Sequence, residues 1–94
     1  MKEKATSKIF IENESVKVTG WRFKPGAETG WHVHEYDYVV VPMIDGTLKI
    51  EDRYKGDSFS TLKKGNPYFR KIGVEHNVIN INDFDFSFIE IELK

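Results

Sequence analysis

The chain reads as an all-β domain folded as a sandwich or barrel. Its apolar segments are short and rich in β-branched and aromatic residues. Gly, Pro and Asx turn signals separate them at regular intervals, and no stretch keeps a helical period. With 94 residues and no long linker, the chain is expected to form a single domain, 1–94.

Residues 8–11 open the series as a short apolar run. Residues 15–19 alternate by two and lead into 21–23. A turn follows at 24–27, because Pro25 presets one backbone angle and Gly26 tolerates an unusual one. Residues 31–44 are mostly extended, and Asp45-Gly46 is a tight-turn signal before a strand at 47–50. Polar residues 54–57 turn the chain into 58–62, and 64–67 turn it again into a short extended piece at 67–70. Gly73 precedes a strand at 76–81, and Asn82-Asp83 precede 86–93. In that last strand Glu90 and Glu92 alternate with Ile89, Ile91 and Leu93, the pattern of a half-exposed strand whose acids carry no chemistry.

Residues 39–44 depart from alternation and are apolar throughout. Such a strand is covered on both faces, by the barrel interior and by a second sheet or another subunit. A homodimer is therefore expected. Pro42 lacks an amide hydrogen and marks a bulge or an edge. Trp21, Phe23, Trp31, Phe59, Phe86 and Phe88 read as core or dimer interface.

Fourteen Lys and Arg balance fifteen Asp and Glu, with no basic stripe to meet a phosphate backbone, so nucleic acid is excluded as a partner. The first eight residues are charged, unlike a secretory signal, and no apolar run is long enough to span a bilayer. Both point to a cytoplasmic protein without a membrane partner. There is no cysteine, so neither a disulfide nor a thiolate metal site can stabilise so small a core. A bound metal or a subunit interface is the remaining source.

The three histidines are the informative residues. His32 and His34 flank Val33 in an extended segment, so both imidazoles project from one face. Their nitrogens can converge on one ion at about 2.0–2.2 Å. His76 opens a later strand that a barrel can bring alongside. By itself the pair is explained equally well by two surface histidines and one core histidine.

Gly26, His32, His34 and Gly46 resemble the first motif of the cupin family: a glycine, five spacers, His-x-His, then a glutamate and a turn glycine. Gly65, Gly73, His76 and Asn80 fall at the spacing of the second motif, although Lys71 stands where the family has proline. The two motifs cover about 26–46 and about 65–80, and the chain is similar to small stand-alone cupins, some of them named for β-alanine degradation. The resemblance implies a single jelly-roll β-barrel with a metal in its mouth, held by His32, His34 and His76, and a variable stretch at about 47–64. Asn80 is expected to serve the fold through hydrogen bonds.

The family's glutamate is missing. Its place falls on Tyr38 or Val39, and Tyr38 shares parity with His34. Glu35 and Asp37 are of opposite parity and read as solvated carboxylates, unless the chain is irregular there and swings one of them in. Three imidazoles leave a divalent ion its full charge and do not choose among Fe, Ni, Zn, Mn and Cu. Some cupin dioxygenases also use three histidines without a glutamate, which implies a small anionic ligand here. Arg22, Tyr36, Tyr38, Tyr68 and Arg70 are candidates to line the pocket, Arg70 as a bidentate fork for a carboxylate. The leading expectation is a metal-dependent, dioxygenase-like oxidoreductase with no identifiable catalytic base. The alternatives are a non-catalytic ligand- or metal-binding accessory protein of small-molecule catabolism, and a barrel that has lost its metal.

Overall fold

A computed structural model describes residues 3–94. In chain order the strands are β1 (Thr6–Glu12), β2 (Val16–Phe23), β3 (His32–Val33), β4 (Asp37–Pro42), β5 (Gly46–Asp52), β6 (Gly56–Leu62), β7 (Tyr68–Arg70), β8 (Glu75–Asn80) and β9 (Phe86–Leu93). One sheet has the order β1-β2-β9-β4-β7 and the other β3-β8-β5-β6. From β4 onward the chain crosses repeatedly between sheets, and the paired strands are antiparallel, as in a jelly roll. The described residues include no helix long and apolar enough to cross a membrane.

Side-chain chemistry sets the turns. The Asn13 carboxamide oxygen accepts from the amides of Ser15 and Val16 and starts β2. The Asp52 carboxylate accepts from the amides of Tyr54 and Lys55, and Gly56, with φ of 76°, completes the turn into β6. Between the sheets Phe23, Phe86, Phe88, Leu48, Val40, Val78 and Leu62 form the core. Asn80 is fully buried, and its Nδ2 donates to the carbonyls of Phe23, Lys24 and Phe84. It ties the turn after β2 to the end of β8, the structural role expected of it.

Three local readings are corrected and one is resolved. Asp45-Gly46 is no hairpin turn: the chain bends at Met43 and Ile44, and β4 and β5 lie in different sheets. Gly46 answers a packing demand, since a Cβ there would lie 2.8 Å from the buried Phe86 ring. Trp31 and Phe59 are 55% and 66% exposed and leave the core to others. Pro42 ends β4 without a register shift, beyond the last residue that β7 pairs with, so it marks an edge and no bulge. In β9 the parity is opposite to the aliphatic pattern. Phe86, Phe88 and Glu90 face inward, while Ile89 and Ile91 face outward and are half-buried.

Candidate metal centre

Residues 26–29 run beside β8: Gly26 and Thr29 donate backbone hydrogen bonds to Asn80 and Val78, and Asn80 donates to Ala27. This zipper continues into β3, where His32 pairs directly with His76. His34 follows in the same register, donating to Val74 and accepting from Gly73. Gly73 has a φ of 96°, a conformation that favours glycine, and so turns the chain into β8 at the required point. The two distant motifs are thus laced together by backbone, with all three imidazoles on the inner side.

The Nε2 atoms of His32 and His34 are 3.1 Å apart, as are those of His34 and His76. The rings splay edge to edge, with centroids 4.8 to 5.0 Å apart. His32 Nδ1 lies 2.8 Å from the Gly30 carbonyl, which can only accept. In the neutral ring the proton therefore sits on Nδ1, and the Nε2 lone pair points at the other two histidines. Burial, then the charges of His32 and His76, hold His34 down to about 3. Burial, and next the charge of His32, bring His76 down to about 4. Near neutral pH these two rings offer lone pairs to a shared point. Converging imidazoles at ligand spacing fit a divalent transition-metal ion.

The surroundings lock this arrangement. Tyr38 is 3% exposed and stacks on His34, with centroids 3.8 Å apart and planes 17° from parallel. Although the chain bends at Tyr36, the start of β4 turns Tyr38 inward, beside the histidines. Burial raises its hydroxyl above the ordinary range and pushes that of Tyr68 up to about 12, so both stay protonated donors. Glu90 is buried, with Oε1 3.7 Å from His34 Nε2 and Oε2 3.4 Å from the Trp21 indole nitrogen. Burial, then the charge of Glu92, raises it to about 7.

Beside the histidines lies an inner space of about 30 Å³, bounded by Trp21, Tyr38, Tyr68, Phe88 and Glu90. Outside it a mouth of about 270 Å³ is lined by His76, Tyr38, Tyr68, Arg70, Lys55 and Asp52, among others. Tyr68 and Arg70 share the face of Tyr38 through the β4–β7 ladder. The Arg70 guanidinium lies 4.6 Å from the Tyr68 ring centre and donates to the Phe69 carbonyl.

Two pocket candidates fall elsewhere. Arg22 follows the inward Trp21, so parity turns it out to solvent, 3.8 Å from Asp85. Tyr36 sits half-buried at the bend between β3 and β4 and is not among the residues lining the mouth. Glu35 is exposed, and the Asp37 carboxylate accepts from the Ile72 amide. Sequence reasoning missed Glu90, although its parity with Phe86 and Phe88 signalled the inner face. It also missed Lys55 and Asp52, which no local pattern distinguishes from ordinary hairpin residues.

The jelly-roll barrel defines a class of fold, and the comparisons agree on that fold. No family model matches the chain. The chain is 52% identical over 90 residues to the Beta-alanine degradation protein BauB of Pseudomonas aeruginosa, covering 96% of this chain and 94% of that protein. It is 53% identical to a cupin domain from Bordetella pertussis Tohama I, with a TM-score of 0.97 over 100% of this chain and 97% of the other. A cupin with a double-stranded β-helix fold from Methanocaldococcus jannaschii shares the fold alone, at 15% identity, a TM-score of 0.79, and 97% and 81% coverage. The chain belongs to the cupin family.

Proposed function

We propose that this cupin holds one divalent transition-metal ion on His32, His34 and His76 and acts on a small anionic metabolite as a dioxygenase-like oxidoreductase. The carrying observation is the convergence of three imidazoles, with the His34 Nε2 atom 3.1 Å from those of both His32 and His76 and all three ligand atoms within 4.8 Å of one another. When bound, such an ion supplies Lewis-acid polarisation and, as iron, redox capacity. The other roles fall to the chain itself. Arg70 and Lys55 at the mouth attract a carboxylate and orient it. Tyr38 fixes the His34 plane, and the Tyr68 hydroxyl is a donor within the same lining. Phe88 and Trp21 keep bulk water from the inner space. The name of the Pseudomonas relative places that protein in β-alanine degradation, which supports a small catabolic acid as the ligand.

The test is metal analysis of protein purified without chelators, followed by oxygen uptake by the iron-loaded form with a panel of small carboxylates. One ion per chain, lost in His34→Ala and His76→Ala, is the expected first result. Uptake that depends on one acid, and falls at least tenfold in Arg70→Ala, is the expected second. Binding of neutral sugars in preference to carboxylates contradicts the ligand class.

A second reading is a non-catalytic accessory protein that binds the metabolite or the metal. The narrowness of the inner space, about 30 Å³, favours its metal-binding form, because that volume admits roughly one or two waters and little of any organic ligand. Tight binding of an acid with no turnover under any metal would select this reading.

A further inference from the structure

The centre lacks the motif glutamate, yet a carboxylate is present from a strand the motifs do not include. Glu90 sits on β9, the middle strand of its sheet, paired with Thr19 on one side and Val40 on the other. Its two oxygens have different surroundings. Oε2 is 3.4 Å from the Trp21 indole N–H, a group that can only donate. Oε1 faces the histidines, 3.7 Å from His34 Nε2. That nitrogen is itself 3.1 Å from the Nε2 atoms of His32 and His76, so Oε1 borders the point on which the three rings converge. A carboxylate oxygen so placed adds an oxygen donor to three converging imidazole nitrogens, and divalent transition metals accept both kinds of ligand together.

We infer that Glu90 is the fourth protein ligand of the metal centre, supplying from β9 the carboxylate that the His-x-His motif lacks. This role presupposes the three-histidine metal site. Trp21 acts as the positioning residue, holding one oxygen so that the other is presented to the ion. Tyr38 takes the sequence position of the family's glutamate but stacks on His34, leaving the inner face open to Glu90. The charge at the centre is then lowered by one unit, and an anionic ligand is attracted less strongly than by three imidazoles alone.

Cobalt(II) titrations of the whole chain, with a competing chelator and the visible d–d spectrum as separate readouts, test the assignment. Glu90→Gln keeps the size and an acceptor for Trp21, and circular dichroism checks its fold. It is expected to weaken cobalt binding by about ten- to a hundredfold or more and to shift the d–d bands. Glu90→Asp is expected to restore part of both. Unchanged affinity in Glu90→Gln overturns the inference, and so does weaker binding with an unaltered spectrum, since the carboxylate then acts from outside the coordination sphere. Wild-type cobalt binding that survives both His34→Ala and His76→Ala fails the three-histidine site itself, a result separate from either.

Discussion

Asn80 shows how one residue can hold a site it does not touch. Its two amide hydrogens reach three carbonyls, shared between Phe23 and Lys24 at the end of β2 and given to Phe84 before β9, and its own oxygen accepts from Asn82. Asn80→Ala strands several buried acceptors at once and is expected to cost about 2–4 kcal/mol in urea unfolding. A loss below about 0.5 kcal/mol would show that water takes over those bonds. At this scale the histidines were legible in the sequence, because a two-residue period puts His32 and His34 on one face whatever the fold. Glu90 was not. Its strand carries aliphatic residues on one parity and Phe86, Phe88 and Glu90 on the other, and alternation alone does not say which face meets the core. The buried phenylalanines decide it, and they displace the isoleucines to the outside.

The same inversion has a consequence at the scale of the sheet. On the outer face of the five-stranded sheet, Ile89 and Ile91 lie between Gly20 and Val18 of β2 and Val41 and Val39 of β4, with Phe69 beside Val39. A sheet apolar on both faces calls for a second cover, and we propose another copy of this chain. Sedimentation is expected to give a dimer that Ile91→Lys converts to monomer, whereas a wild-type monomer at high concentration contradicts it. The continuous apolar run at 39–44 made the apolar outer row of β4 legible in advance, with Val39 and Val41 beside Ile91 and Ile89. The connection after β4 was not, because Asp45-Gly46 has the composition of a hairpin turn but leads across to the other sheet. What demands glycine there is the Phe86 ring. Gly46→Ala is expected to destabilise the fold by about 1–3 kcal/mol through overpacking, and Phe86→Leu in the same chain is expected to recover part of it.

For the whole molecule, buried titrating groups couple stability to pH. In chelator-treated protein His34 is held at about 3 and His76 at about 4, against 6.5 for an unperturbed histidine. Above 6.5 neither the folded nor the unfolded chain protonates them; below it the unfolded chain gains protons that the fold refuses, so stability falls with pH. Glu90, raised from 4.5 to about 7, acts in the opposite sense, its contribution being full below 4.5 and lost as pH rises through 7. Between 4.5 and 6.5 the two slopes partly cancel, so the steepest loss is expected just below 4.5. Urea unfolding across that range checks this, and replacing both histidines with glutamine is expected to flatten the acid limb. An unaltered acid limb would place its origin elsewhere.

The most direct measurement is anomalous diffraction from crystals of protein purified without chelators, with data on both sides of the candidate metal edges. A single strong peak at about 2.0–2.2 Å from the Nε2 atoms of His32, His34 and His76 is the expected result. Rings collapsed onto one another with no peak between them, or a peak held by other residues, would contradict the metal centre.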